Sequence, residues 1–181
     1  ELGKLDGFAG QEEAVADGFS NIDTIIAGQS DSDSFTGMNA DAVFTINEID
    51  NSYQVNANML GFTGFEYVKG GNANDTFNIM AANQQIKEYQ GGAGDDTFKL
   101  FGLVTVPGLI NGDGGTDRLD YSAYGRGVLV NLASHLAQAI FGGADGGIFG
   151  IESVIGSNFA DTLIGDENDN TLEGLDGVRR V

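Results

Sequence analysis

Cysteine is absent from the 181 residues, which excludes a disulfide framework and any thiolate metal site. Histidine occurs once, as His135, so a zinc centre would have almost no ligands. Basic residues are scarce, 8 against 27 acids, and the formal charge is −19. Nucleic acids and anionic membrane surfaces need basic patches and are excluded as partners. Cations and basic partners remain. No apolar run approaches the roughly 18 residues of a membrane span, so no membrane insertion is expected, and no signal peptide opens the chain. The abrupt start at Glu1 and the end at Arg179, Arg180 and Val181 read as the limits of a fragment of something longer. GxSxG, HExxH and P-loop motifs are lacking. Helical periodicity is weak. The best helical stretch, "GQEEAVADGF" from Gly10 to Phe19, is expected to cap the N-terminal end.

Glycine is abundant, 29 residues, with a single proline and no period of three, so the glycines serve turns rather than a collagen-like helix. Apolar residues make up 41%, enough for a packed core. The turns repeat. "GQSDSDSFT" starts at Gly28, "GGNANDTFN" at Gly70, "GGAGDDTFK" at Gly91, "GDGGTDRLD" at Gly112 and "GSNFADTLI" at Gly156. Each has glycine first, aspartate sixth and a large apolar residue eighth. The aspartates are Asp33, Asp75, Asp96, Asp117 and Asp161; the apolar residues are Phe35, Phe77, Phe98, Leu119 and Leu163, expected as a core ladder.

Asp75, Asp96 and Asp117 are 21 residues apart. Asp33 lies 42 before Asp75, which leaves room for a degenerate unit around Gln54; Asp161 lies 44 after Asp117, room for two coils without the acidic turn. Half-buried strand patterns, "FEYVKG", "IKEYQG" and "IESVIG", precede three of the glycines. A second period of nine links Gly28 to Gly37, and Gly156 to Gly165 and Gly174, with Asn170 in the aspartate position of the Gly165 unit. A unit of this length cannot bury its own apolar side, but stacked copies can. The predicted fold is all-β: a parallel β-roll or β-helix-like solenoid with coils of about 21 residues. One repeat domain spans 1–181. It divides into a cap or lead-in at 1–27, acidic-turn coils at 28–120, irregular coils at 121–150 and tandem nonapeptides at 151–177.

"GGAGDDTFK" fits the GGxGxDxUx nonapeptide fully, U being a large apolar residue. The chain therefore resembles the RTX, or haemolysin-type, calcium-binding repeat proteins of bacteria over roughly residues 19–36, 62–132 and 150–177. It departs from their pattern in its 21-residue recurrence, in Ala73 and Asp113 at glycine positions, and in Asn170. The resemblance implies calcium held between turns. Its ligands would be Asp33, Asp75, Asp96, Asp117 and Asp161, with the backbone at Gly70, Gly91, Ala93, Gly112 and Gly114. It also implies a bacterial protein, secreted or on the cell surface.

The residues argue for a cation independently. Stacked strands lie about 4.8 Å apart. Bare carboxylates at that spacing repel by roughly 1 kcal/mol even in water. Calcium, which takes six to eight oxygens from carboxylates and carbonyls, turns that repulsion into attraction; magnesium demands a stricter octahedron. Alternatively, an aspartate in a glycine turn only bonds its own backbone. Asp95 and Asp113 either add oxygens or are solvated. Tyr121, Tyr124 and Arg126 read as a structural loop, with a sugar-binding patch as the alternative.

The expected function is a non-enzymatic calcium-binding module, adhesin-like or accessory to an exported enzyme, with calcium driving folding and rigidity. Polysaccharide or other surface proteins are further expected partners. A β-helix polysaccharide lyase or epimerase, for which Lys69, Lys87, Lys99, Arg118 and Arg126 are the central bases, and a surface-layer or biofilm module are the alternatives.

Overall fold

The computed structural model describes residues 8–12, 15–29 and 31–180. The chain opens with β1 (Phe8–Glu12) and β2 (Val15–Ile22), paired antiparallel. The helix expected over 10–19 is therefore replaced by strand, residues 13 and 14 lying outside the described ones. Gly10 and Gly18 disfavour a helix by about 1 kcal/mol each, and hydrogen bonding between the two strands replaces the helical ladder.

Next come β3 (Thr24–Ile26), β4 (Ser34–Thr36), β5 (Ala42–Ile46), β6 (Asn51–Val55) and β7 (Asn58–Thr63). β5, β6 and β7 form an antiparallel meander. The unit expected around Gln54 is thus no coil: Gln54 lies in β6, and Asn56 turns the chain at a φ of 54°, a left-handed conformation that asparagine tolerates.

The repeat then becomes regular. β8 (Tyr67–Lys69), β10 (Glu88–Ala93) and β12 (Leu109–Gly114) pair in parallel. So do β9 (Thr76–Ile79), β11 (Thr97–Leu100) and β13 (Arg118–Asp120). Partners in both rows are 21 residues apart, as the spacing required. Inward residues alternate with outward ones, the signature of strands with one buried face.

After β13 come β14 (Leu129–Asn131), β15 (Leu136–Ala137), β16 (Ile148–Phe149), β17 (Ser153–Ile155), β18 (Asp161–Ile164), β19 (Thr171–Glu173) and β20 (Val178–Arg180). Here Ser153 pairs with Thr171, a spacing of 18. β17 and β19 extend the row of β13, while β14, β18 and β20 form another sheet with antiparallel β15. The protein is all-β, with no α-helix among the described residues, and its mixed sheets are rich in parallel strands.

One contiguous core runs from Phe35 to Leu163. In the nine-stranded sheet Phe44, Phe77, Phe98, Leu119 and Val154 lie in register, and the rings of Phe44, Phe77 and Phe98 stack at 4.5 and 4.8 Å. Phe35 belongs to the other row, opposite Val68, and Leu163 lies opposite Val130 in the four-stranded sheet. The five residues expected on one ladder thus occupy three. Tyr121 and Tyr124 are buried and meet edge to face at 5.4 Å, and the Tyr121 hydroxyl donates to the Gln138 carbonyl. They are core residues, which leaves no aromatic surface there for a sugar.

Candidate metal centre

The acidic turns at Asp75, Asp96 and Asp117 join β8 to β9, β10 to β11 and β12 to β13, while those at Asp33 and Asp161 join β3 to β4 and β17 to β18. Their glycines have a steric reason. A Cβ at Gly70, Gly91, Gly112 or Gly156 would collide with Oδ2 of the aspartate five positions on: Asp75, Asp96, Asp117 or Asp161. At the first three it would also meet the carbonyl of Gly91, Gly112 or Gly150 in the following coil. The first glycine and the sixth-position aspartate are one packing unit.

Two hydrogen-bond ladders then tie the coils together. The sixth-position side chains reach back: Asp75 Oδ1 accepts from the Ala42 amide at 2.9 Å, Asp96 Oδ1 from Asp75 at 2.7 Å, and Asp117 Oδ1 from Asp96 at 2.8 Å. Glu152 Oε2 continues the row by accepting from the Asp117 amide at 2.8 Å. The fifth-position side chains reach forward. Asp41 accepts from Asn74, Asn74 from Asp95 and Asp95 from Thr116, at 3.1, 2.8 and 2.8 Å. Hydrogen bonds to a charged acceptor contribute about 1.5–3 kcal/mol each.

The second carboxylate oxygen separates the turns into two kinds. Asp75 Oδ2 accepts from the Gly71 amide at 2.7 Å, and Asp161 Oδ2 from the Ser157 amide at 3.0 Å. Asp161 Oδ1 accepts as well from the Val128 amide and the Ser157 hydroxyl. Both carboxylates are fully used by protein donors. Asp96 Oδ2 and Asp117 Oδ2 are buried and have no partner. The local backbone differs too. β8 stops at Lys69, and the Gly71 amide turns to its aspartate. β10 and β12 run on through Gly92 and Asp113, which lie in register, and the Asp113 amide donates to Asn111 Oδ1 at 3.1 Å. Gly92 and Asp113 take φ of 110° and 66°, the left-handed region that glycine accepts readily and aspartate less so.

The electrostatics follow. Burial, with Asp75, Asp95 and Asp113 nearby, pushes Asp96 up to about 6. Burial, with Asp96, Glu152 and Asp95 nearby, pushes Asp117 up to about 7. Asp75 is also raised by burial, while the amides of Gly71 and Ala42 pull against it.

The unpartnered oxygens are not isolated. The space a Cβ would take at Gly91 is shared by Asp96 Oδ2 and the Gly112 carbonyl, and that at Gly112 by Asp117 Oδ2 and the Gly150 carbonyl. An oxygen-only cradle with an unneutralised carboxylate fits a hard divalent cation. Asp96 with Gly112, and Asp117 with Gly150, are the residues that would hold it. Side chains alone do not complete such a centre. Among the described residues no three Asp, Glu, His or Cys gather around one point, so further carbonyls and water would fill the coordination shell.

The other expected ligands stand elsewhere. Gly70 and the Gly91 carbonyl border Asp75, whose oxygens are taken. The Ala93 amide donates to Gly71, and the Gly114 carbonyl accepts from Gly94. Asp33 keeps an unpartnered Oδ2, but its amide is held by Glu66 in the five-stranded row. Asp161 belongs to the four-stranded sheet. Sequence reasoning missed Glu66, Glu152 and Gly150. It also missed that the coil before Asp75 is the Gly37 unit, with Ala42 at its sixth position; the nine-residue step from Gly28 to Gly37 carried that signal. Neither a family model, nor a curated protein, nor a solved structure matches the chain.

Proposed function

We propose that the chain is a calcium-stapled parallel β-solenoid, a non-enzymatic module of a secreted or cell-surface bacterial protein of the kind its RTX-like nonapeptides suggest. The observation that carries this reading is the pair of buried, unpartnered oxygens on Asp96 and Asp117, each beside a carbonyl of the next coil. Bound calcium would supply the positive charge that those oxygens lack.

The charge balance supports it. Without a cation, a chain of net charge −19 carries buried carboxylates and strong self-repulsion. A cation that binds only the folded chain stabilises it by about 2.7 kcal/mol at a hundred times its Kd. Such a chain stays loose where calcium is scarce and sets where calcium is plentiful, which suits export followed by folding outside the cell. The lysines of the stack have structural partners: Lys69 pairs with Asp113 and Lys99 with Asp120, both at 3.0 Å, and Lys87 donates to the Asp31 carbonyl. That supports a scaffold over a lyase or epimerase, whose chemistry needs a poised base.

The test is circular dichroism of chelator-treated protein during a calcium titration. Loss of β structure in chelator, restored by calcium and poorly by magnesium, is expected. An unchanged spectrum and melting temperature in excess chelator would defeat the proposal.

A further inference from the structure

Residues 121–150 break the repeat, and the break builds one wall of a groove. His135 follows the short 3-10 turn Leu132–Ser134 with a φ of 56°. Its carbonyl accepts from the amides of Gly147 and Ile148 at 2.9 and 3.2 Å, which anchors the backbone beside β16. The imidazole stacks on the Phe149 ring, with centroids 4.8 Å apart and planes inclined by 28°. Phe149 is 38% exposed.

The turn after β18 supplies more of the groove's lining. Asp166 Oδ1 accepts from the Asn168 amide at 2.8 Å and Oδ2 from Asn168 Nδ2 at 3.0 Å. Those bonds hold the Asp166 carboxyl below its ordinary range, so it carries full charge at neutral pH. Glu152, whose Oε2 accepts from the Asp117 amide, lines the groove as well. The groove has a volume of about 160 Å³ and is lined by His135, Phe149, Glu152, Asp166 and Asn168 among others. It adjoins a wider space of about 360 Å³ that shares His135, Asp166 and Asn168 and adds Glu167.

We propose that this groove binds a guanidinium group, the side chain of an arginine on a partner peptide. A stacked aromatic pair and carboxylates lining one groove match the two ways a guanidinium is held, stacking on a ring face and forked bonding to carboxylate. Among the described residues no three of the potential metal ligands converge on one point here. The groove's carboxylates suit an extended, planar organic cation. Lysine offers a point charge without a face to stack. A neutral sugar gains nothing from the charge, and the −19 of the chain draws basic partners. The proposal does not rest on the calcium reading.

The experiment is an NMR titration of ¹⁵N-labelled protein, in saturating calcium and about 150 mM salt, where the Debye length is about 8 Å. The probe is N-acetyl-arginine amide, with N-acetyl-lysine amide and methyl glucoside as comparisons. Saturable shifts confined to residues around His135, Phe149 and Asp166 are expected, with a Kd on the order of 1 mM. Lysine should bind about fivefold more weakly, and the glucoside should cause no shifts. Asp166→Asn, on an exposed turn where its oxygen can still accept from Asn168, should weaken binding about tenfold. Phe149→Leu should weaken it about fivefold. Shifts spread equally over the acidic turns, lysine binding as tightly as arginine, glucoside binding in the groove, or full affinity in Asp166→Asn would each overturn the proposal.

Discussion

The turns at Asp96 and Asp117 and the turn at Asp161 look alike in sequence and differ in what the carboxylate meets. In the 21-residue coils the strands before the first two turns run on through Gly92 and Asp113, and at the second of these turns the Asp113 amide donates to Asn111 Oδ1 at 3.1 Å and not to Asp117. In the nonapeptide region the second position is Ser157, and both its amide and its hydroxyl bond Asp161. Asp75, within the 21-residue coils, sides with Asp161 through the Gly71 amide. The second-position amide thus separates turns whose carboxylate is satisfied within the protein from turns that leave Oδ2 buried without a donor.

The largest expected effect tests the part common to all these turns. Gly91→Ala puts a Cβ into Asp96 Oδ2 and the Gly112 carbonyl, and should cost on the order of 3 kcal/mol or more by denaturant unfolding. At Gly114 the nearest atom to an added Cβ is 3.9 Å away, so Gly114→Ala should stay within about 0.5 kcal/mol. Equal losses would mean that the glycines matter through flexibility and not through this collision.

Asp161→Ala comes next. It removes the acceptor of two amides and a hydroxyl and should lose about 2–4 kcal/mol, with the calcium-dependent part of the stability unchanged. A vanished calcium response in this variant would merge the two kinds of turn into one.

The pH dependence tests the unpartnered oxygens. Asp96 and Asp117 titrate near 3.8 when unfolded and near 6 and 7 when folded. Between those values the folded chain binds more protons. Calcium-free stability should therefore fall as pH rises from about 4 to about 7, by a few kcal/mol, and then level off. Calcium should stabilise strongly at pH 7.5 and little at pH 5. Chelator-treated protein whose stability rises over that window would contradict the buried, unpartnered oxygens.

The smallest effect concerns Asp95, which bonds the Thr116 amide from an exposed position. Asp95→Ala should cost about 1 kcal/mol and change the midpoint of the calcium titration less than Asp96→Ala does.

Much of this architecture was legible from repeat spacing. The 21-residue step between Asp75, Asp96 and Asp117 translates directly into parallel partners, because stacked coils must keep equivalent residues in register. Insertions were illegible for the same reason. A spacing of 42 between Asp33 and Asp75 reads as two coils, whereas the chain spends those residues on the β5–β7 meander and moves Phe35 into the other sheet. The aspartates themselves were visible, but the division among them was not. "GGNANDTF" and "GGAGDDTF" differ little, and the strand extension that brings Gly92 into register with Asp113 depends on the next coil. Glu152 was hidden because it takes the place of a sixth-position aspartate from the residue just before β17, ahead of a repeat glycine and not after one.

The central claim is that Asp117 Oδ2 lacks a donor and waits for a cation, and Asp117→Asn tests it most directly. Asparagine keeps the oxygen that accepts from the Asp96 amide and turns the other atom into a donor beside the Gly150 carbonyl. The measurement is the folded fraction at pH 7.5 of wild type and variant, in chelator and in saturating calcium. The account expects the variant to be more folded than wild type in chelator, by about 1–3 kcal/mol, and to gain less from calcium. A variant that is less stable in chelator and keeps the full calcium increment would contradict it.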